Sequence, residues 1–293
     1  MTDRPRPLRS RRRPPEPSTG RFTNGMEYAA WGDGPKDLLW MPGGPGGGLP
    51  SGAMSRMLVN RFRPLTDDGY RIWHVLRRRP MPDGHTMADM ADDYAAVVRD
   101  EFGGRVDIAA GVSYGAMVGQ YLAARHPETF GTLALVAGAW RASEWAVHLD
   151  QRMAEAIVSR DVEDLGEVIG TYLLPNERLA APRRLLAPVM SRLMAPEMLG
   201  SGGSPESALV EARAEAEADA RSVLPEITVP VLLIAGDHDY CFPRELVVET
   251  AALIPHCTLV WYRGLGHMRT ATDPRVALDI LQFARANEHA LAA

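Results

Sequence analysis

From residue 21 onward the chain alternates short apolar runs with longer amphipathic stretches. The runs at 37–41, 70–76, 106–110, 132–137, 229–235 and 257–262 read as buried strands. Between them, Met87, Met90, Tyr94, Val97 and Val98 repeat at helical spacing across 87–102, and a second helix over 113–126 is stopped by Pro127. Short apolar strands separated by helices predict an α/β fold, a mostly parallel central sheet with helices on both faces.

The rhythm breaks once. Residues 141–225 carry no strand pattern, only helical pieces rich in Ala, Glu, Leu and Arg and punctuated by prolines, enough for about four helices. One of them is expected to start at Ser204-Pro205-Glu206, with serine as the cap and proline in the first turn. Lying between two sheet strands, this segment is expected to sit as a helical lid over the carboxyl ends of the strands, where open α/β folds bind ligands. The expected organisation is therefore a core of 21–140 and 226–293, a lid of 141–225, and a tail of 1–20. The tail holds six arginines and five prolines with almost no apolar side chains, a composition that predicts disorder. An arginine cluster can open an export signal, but no apolar region follows it, so a cytoplasmic protein is expected.

Composition changes this picture little. The 293 residues are 46% hydrophobic and 24% charged, close to globular averages, and the formal net charge of −5 gives no general attraction to nucleic acid or to an anionic membrane. The two cysteines, Cys241 and Cys257, are too few for a disulfide framework. No histidine cluster has metal-ligand spacing, so neither a metal nor an organic cofactor is expected, and the expected partner is a small-molecule substrate. The oligomeric state is left open.

The most specific motif is Gly111-Val112-Ser113-Tyr114-Gly115, a G-x-S-x-G between a predicted strand and a predicted helix. A serine hydroxyl is a weak nucleophile and needs a base within hydrogen-bond reach, itself oriented by a third group. His267, just after the last strand, is the candidate base, with His238 as rival. The loop Gly236-Asp237-His238-Asp239 follows the 229–235 strand, which makes Asp239 the candidate acid and Asp237 the runner-up. The order Ser, Asp, His along the chain is that of α/β-hydrolases.

On these motifs the chain resembles fold-1 α/β-hydrolases, with similarity to proline iminopeptidases and related esterases, over roughly 21–140 and 226–290. In that family Met41-Pro42-Gly43-Gly44-Pro45-Gly46-Gly47 corresponds to a loop that supplies one oxyanion donor, and Pro42 stands where the family has histidine. The resemblance implies Gly44 N–H and Tyr114 N–H as the oxyanion pair. It also implies a serine hydrolase acting on an ester, lactone or amide. A proline iminopeptidase-type aminopeptidase is the alternative, and a noncatalytic ligand-binding protein on the same fold is a second one. Where the family has an Asp-x-Arg-Gly-type segment, this chain has Arg77, Arg78 and Arg79, which could meet an anionic substrate group or the acidic surface. Trp140, Trp145, Met190 and Met194 are candidate pocket residues in and beside the lid. An aminopeptidase would also need lid carboxylates for the substrate amine; Glu144, Glu155 and Glu163 are candidates.

Overall fold

Eight strands form one sheet in the computed structural model, which describes residues 16–199 and 204–291. They are β1 (Ser18–Arg21), β2 (Glu27–Trp31), β3 (Lys36–Met41), β4 (Tyr70–Val75), β5 (Val106–Val112), β6 (Phe130–Val136), β7 (Val231–Gly236) and β8 (Cys257–Tyr262). Their spatial order is β1-β2-β4-β3-β5-β6-β7-β8. The pairs β1·β2 and β2·β4 are antiparallel, and every other pair is parallel. The chain thus has the expected α/β architecture.

The helices that cover this sheet are α1 (Gly52–Arg61), α2 (Arg63–Asp67), α3 (Met87–Glu101), α4 (Tyr114–Arg125), α9 (Arg244–Leu253), α10 (His267–Thr272) and α11 (Arg275–Leu291). Between β6 and β7 lie α5 (Glu144–Ser159), α6 (Val162–Leu173), α7 (Ala180–Leu199) and α8 (Ser207–Ala216). Strand periodicity divides the core into two layers. In β3, Leu39 and Met41 point to the layer shared with α3, α4 and α9, whereas Leu38 and Trp40 point to the layer shared with α1, α2 and α11. All residues of β6 and β7 are buried, which explains why these strands are apolar throughout rather than alternating. α3 starts in a capping box, with the Thr86 hydroxyl accepting from Asp89 N–H and Asp89 accepting in return.

Two expectations shift. Residues 18–20, placed by composition in the disordered tail, pair with Ala30, Ala29 and Tyr28 in an edge strand, while residues 1–15 lie outside the described residues. A polar edge strand is held by ladder hydrogen bonds and needs no apolar run, so it leaves no hydrophobic pattern to read. The helix expected to begin at 204–206 begins at Ser207. Pro205 and Glu206 form a turn whose carbonyls accept from Ala208 and Val210.

Among the described residues the insertion holds four α-helices and has a small core of its own, built around Leu149, Met153, Ile157, Leu165 and Val168 with Ala208 and Ala212 from α8. Among the described residues no helix is long and apolar enough to cross a membrane.

Candidate active site

Ser113 occupies the single-residue turn between β5 and α4, with φ 54° and ψ −118°. A non-glycine residue held at positive φ costs about 1–3 kcal/mol and persists only where its surroundings enforce it. Here the enforcement is visible. A Cβ on Gly111 would lie 2.2 Å from the Gly115 carbonyl oxygen, and one on Gly115 would lie 2.2 Å from the Met41 carbonyl oxygen. The two motif glycines therefore let the turn close and let the 41–47 loop pass against it. Ser113 N–H is held by the Val136 carbonyl of the adjacent strand at 2.9 Å.

Two loops at the same sheet edge complete the arrangement. Gly266 caps α10, and His267 is that helix's first residue. Its Nε2 lies 3.0 Å from Ser113 Oγ, and its Nδ1 lies 2.9 Å from Asp239 Oδ2. The other oxygen of Asp239 accepts backbone N–H groups from Cys241 at 2.8 Å and Phe242 at 3.1 Å, which fixes the carboxylate in its turn. A carboxylate at Nδ1 selects the tautomer with hydrogen on Nδ1, leaving Nε2 free to accept from the serine hydroxyl. The rivals are elsewhere: His238 is exposed, and Asp237 accepts from Gly264 N–H at 2.6 Å.

Burial alone would lower the pKa of His267, but the charge and hydrogen bond of Asp239, with a further contribution from Asp150, raise it above the ordinary histidine value. The rings of Phe242 and Tyr172 stand 5.7 and 6.4 Å from the imidazole. Ligand atoms of Asp239, Cys241 and His267 lie within 4.8 Å of one another, which raises the question of a metal. The donor set does not fit one. The histidine nitrogens are engaged by Asp239 and Ser113, and burial pushes the Cys241 thiol well above its ordinary pKa, so it stays protonated.

The glycine loop lies directly over the serine. A Cβ on Gly43 would be 3.1 Å from that of Ser113, and Gly44 has φ +63°, a conformation suited to glycine. In place of the absent histidine, Arg77 supports the loop, donating to the carbonyls of Pro42 at 2.7 Å, Gly43 at 3.3 Å and Gly44. Arg79 donates to the Gly47 carbonyl at 2.6 Å. Both arginines also face Glu211 of α8, which is fully buried. Arg77 and Arg79 thus meet a buried acid of the insertion rather than the acidic surface. Arg78 meets a less buried acid, Asp93, at 3.5 Å.

The candidate pocket residues separate. Trp140 is buried in the core, with its indole N–H donating to Glu249 at 2.8 Å. Trp145 packs edge-on against Tyr172 at 5.7 Å, one ring removed from His267. The side chains of Met190 and Met194 lie outside the described residues. Glu144, Glu155 and Glu163 are exposed. Among the described residues the buried carboxyls of the insertion are instead Asp150, Glu211 and Glu215, none of which sequence reasoning singled out. Asp150 accepts from Tyr172 Oη at 2.5 Å and is hydrogen-bonded to Glu215, whose carboxyl is driven well above its ordinary pKa by burial and by the charge of Asp150. In sequence these acids sit within helical stretches where charged residues ordinarily read as a solvated face.

A family model described as "Serine aminopeptidase, S33" (Hydrolase_4) matches residues 78–274. A curated relative named "Putative carbamate hydrolase RutD", from Serratia proteamaculans, is 27% identical over 195 residues, 66% of this chain and 70% of the relative. The protein of the same name from Caulobacter segnis is 28% identical over 253 residues, 85% of this chain and 91% of its own. Among solved structures, the enol-lactonase from Burkholderia xenovorans LB400 superposes with a TM-score of 0.70 at 18% identity, over 91% of this chain and 99% of that one, a likeness of fold. With more than half of its length matched by the family model and an α/β-hydrolase architecture around an elbow serine, this chain belongs to the serine aminopeptidase S33 family of α/β-hydrolase-fold serine hydrolases.

Proposed function

We propose that the chain hydrolyses an ester, lactone or amide bond of a small, partly apolar substrate through an acyl-enzyme on Ser113. The hydrogen-bonded chain from Ser113 Oγ through His267 to Asp239, with Ser113 held at positive φ, is the observation that carries this reading. Ser113 Oγ attacks the carbonyl carbon while His267 takes its proton. His267 then returns that proton to the leaving group. Water, deprotonated by the same imidazole, cleaves the acyl-enzyme. Asp239 orients His267 and stabilises the imidazolium. Gly44 and Tyr114 supply backbone N–H groups to the oxyanion, each worth about 2.7–4 kcal/mol where such donors have been removed. Helices α5–α8 act as a lid, with the Tyr172 ring beside His267 and Trp145 packed against Tyr172.

The carbamate hydrolase and enol-lactonase names of its relatives agree with an acyl-carbon substrate. A second reading, an aminopeptidase, draws on Asp150 and Glu215, two buried lid carboxyls beside Tyr172 that together can face a cationic amine. A panel of short-chain p-nitrophenyl esters, a simple lactone, an aryl carbamate and prolyl p-nitroanilide, run alongside fluorophosphonate labelling, separates these readings. One label per chain and ester or lactone turnover exceeding that of the prolyl amide are expected. Faster cleavage of a free-amine substrate than of its N-acetylated counterpart favours the aminopeptidase, and neither labelling nor turnover of any substrate leaves a noncatalytic binding protein.

A pH dependence follows from the same groups. Only neutral His267 can accept the serine proton, and its pKa is raised, so kcat/KM should fall as pH drops through a value above 6.5. Asp150→Asn together with Glu215→Gln, so that Glu215 cannot ionise in its place, removes a negative charge that favours the imidazolium. The acid limb of this double variant should therefore move to lower pH, the variant keeping a larger fraction of its maximal kcat/KM at pH 6 than the parent. A limb that stays in place or moves upward would show that this carboxyl pair does not act on His267.

A further inference from the structure

Glu211 lies in the middle of α8 with no exposed surface, a position at which an exposed helix would carry a solvated glutamate. Its carboxylate is committed to the loop over Ser113. Oε2 accepts from Gly46 N–H at 2.6 Å and from Arg77 Nη2 at 3.1 Å, and Oε1 faces Arg77 Nε at 3.0 Å. The same guanidinium donates to the carbonyls of Pro42, Gly43 and Gly44. The Arg77–Glu211 pair thus holds the loop through three of its carbonyls and one of its N–H groups, beside Arg79, which also faces Glu211 and donates to the Gly47 carbonyl. One partner of the pair comes from the segment after β4 and the other from the insertion.

The second donor is tied to the same helix. Tyr114 Oη donates to the backbone carbonyl of Glu211 at 2.9 Å, and the Arg77 guanidinium lies 4.4 Å from the centre of the Tyr114 ring. We infer that Glu211 is a positioning residue through which the helical insertion sets the distance between the Gly44 and Tyr114 backbone donors, and so the strength of the oxyanion site. This inference rests on the reading above that those two N–H groups hold the oxyanion.

A buried ion pair is not the most stable filling for such a place, since well-packed apolar side chains often serve stability as well or better. What an apolar pair cannot do is satisfy the part-buried carbonyls and the N–H of an irregular glycine-rich loop. Without the pair, a loop of successive glycines has many conformations, and misplacement by about 1 Å costs on the order of 10²-fold in rate. The loss falls on the transition state, where charge develops on the oxygen, and largely spares ground-state binding.

The test compares Glu211→Gln, Glu211→Asp and Arg77→Lys with the parent enzyme, each first checked for an unchanged fold by circular dichroism and thermal melting. Kinetics on the best p-nitrophenyl ester are read as kcat and KM. Affinity is read for a trifluoromethyl ketone, which adds Ser113 Oγ to its carbonyl, and for the matching alcohol, which cannot. The expected result is a fall in kcat of about 10- to 100-fold with KM changed less than about threefold. The ketone should weaken by a factor similar to the fall in kcat/KM while the alcohol's affinity stays put. Should both Glu211 variants fail to fold, Arg77→Lys carries the same comparison, because it keeps a cation opposite Glu211 and loses the fork that reaches three carbonyls. Folded variants with parental kcat, or with an effect confined to KM, overturn the inference while Ser113→Ala remains inactive. If Ser113→Ala itself still turned over the ester, the acyl-enzyme reading would fall, and this inference with it.

Discussion

Ser113→Ala is expected to lower kcat on the preferred ester by on the order of 10⁶-fold, with KM little changed and fluorophosphonate labelling abolished. The magnitude follows from what remains. Without Oγ no acyl-enzyme forms, His267 has no serine proton to take, and the Gly44 and Tyr114 N–H groups are left to polarise a carbonyl that only water can attack. Removing such a nucleophile forfeits nearly all the benefit of its partners, because they act as one unit. Stability should hardly move. The Ser113 hydroxyl is engaged by His267 alone among the hydrogen bonds described, and alanine meets the same positive φ that serine already tolerates. Turnover is measured against titrated parent enzyme at matched concentration. Labelling that persisted in the variant would place the nucleophile on another residue.

Legibility in the sequence followed the kind of force involved. The central strands were readable because strands buried on both faces must be apolar throughout, as β6 and β7 are. The elbow was readable because its close approaches exclude every side chain but hydrogen at Gly111 and Gly115. The hairpin of β1 and β2 was not, since β1 is an exposed polar edge and β2 is only five residues long. Nor was the Arg77–Glu211 pair. Its partners stand 134 residues apart. Arg77 sits in a run of three arginines, and Glu211 in a helix whose acidic and basic residues look solvent-facing. Charge patterns carry no burial signal until tertiary structure supplies it, so Asp150 and Glu215 were hidden for the same reason that Glu211 was. Trp140 errs in the opposite direction. An aromatic residue beside a lid suggests a pocket, yet the Trp140 ring is buried in the core and its indole N–H is satisfied by Glu249, an exposed residue of α9.

Asp239→Asn should cost on the order of 10⁴ in kcat while Asp237→Asn stays within a few-fold of the parent. The two aspartates lie on one loop and differ in what their oxygens do. In Asp239, Oδ1 accepts from Cys241 N–H and Phe242 N–H, so an asparagine there keeps its carbonyl oxygen toward those donors and turns its NH₂ toward His267 Nδ1. An NH₂ group donates, so it forces the imidazole to keep its hydrogen on Nε2, the nitrogen 3.0 Å from Ser113 Oγ. In that tautomer His267 cannot take the serine proton. The negative charge that stabilises the imidazolium is lost at the same time. Asp237 contributes one accepted hydrogen bond, from Gly264 N–H, and an asparagine oxygen can accept it equally well. Both variants are to be compared at equal concentration and with equal thermal midpoints, so that a rate difference is not a folding difference. The reverse ranking, with Asp237→Asn the crippled variant, would mean that Asp239 does not orient His267 and that its 2.9 Å contact is structural only.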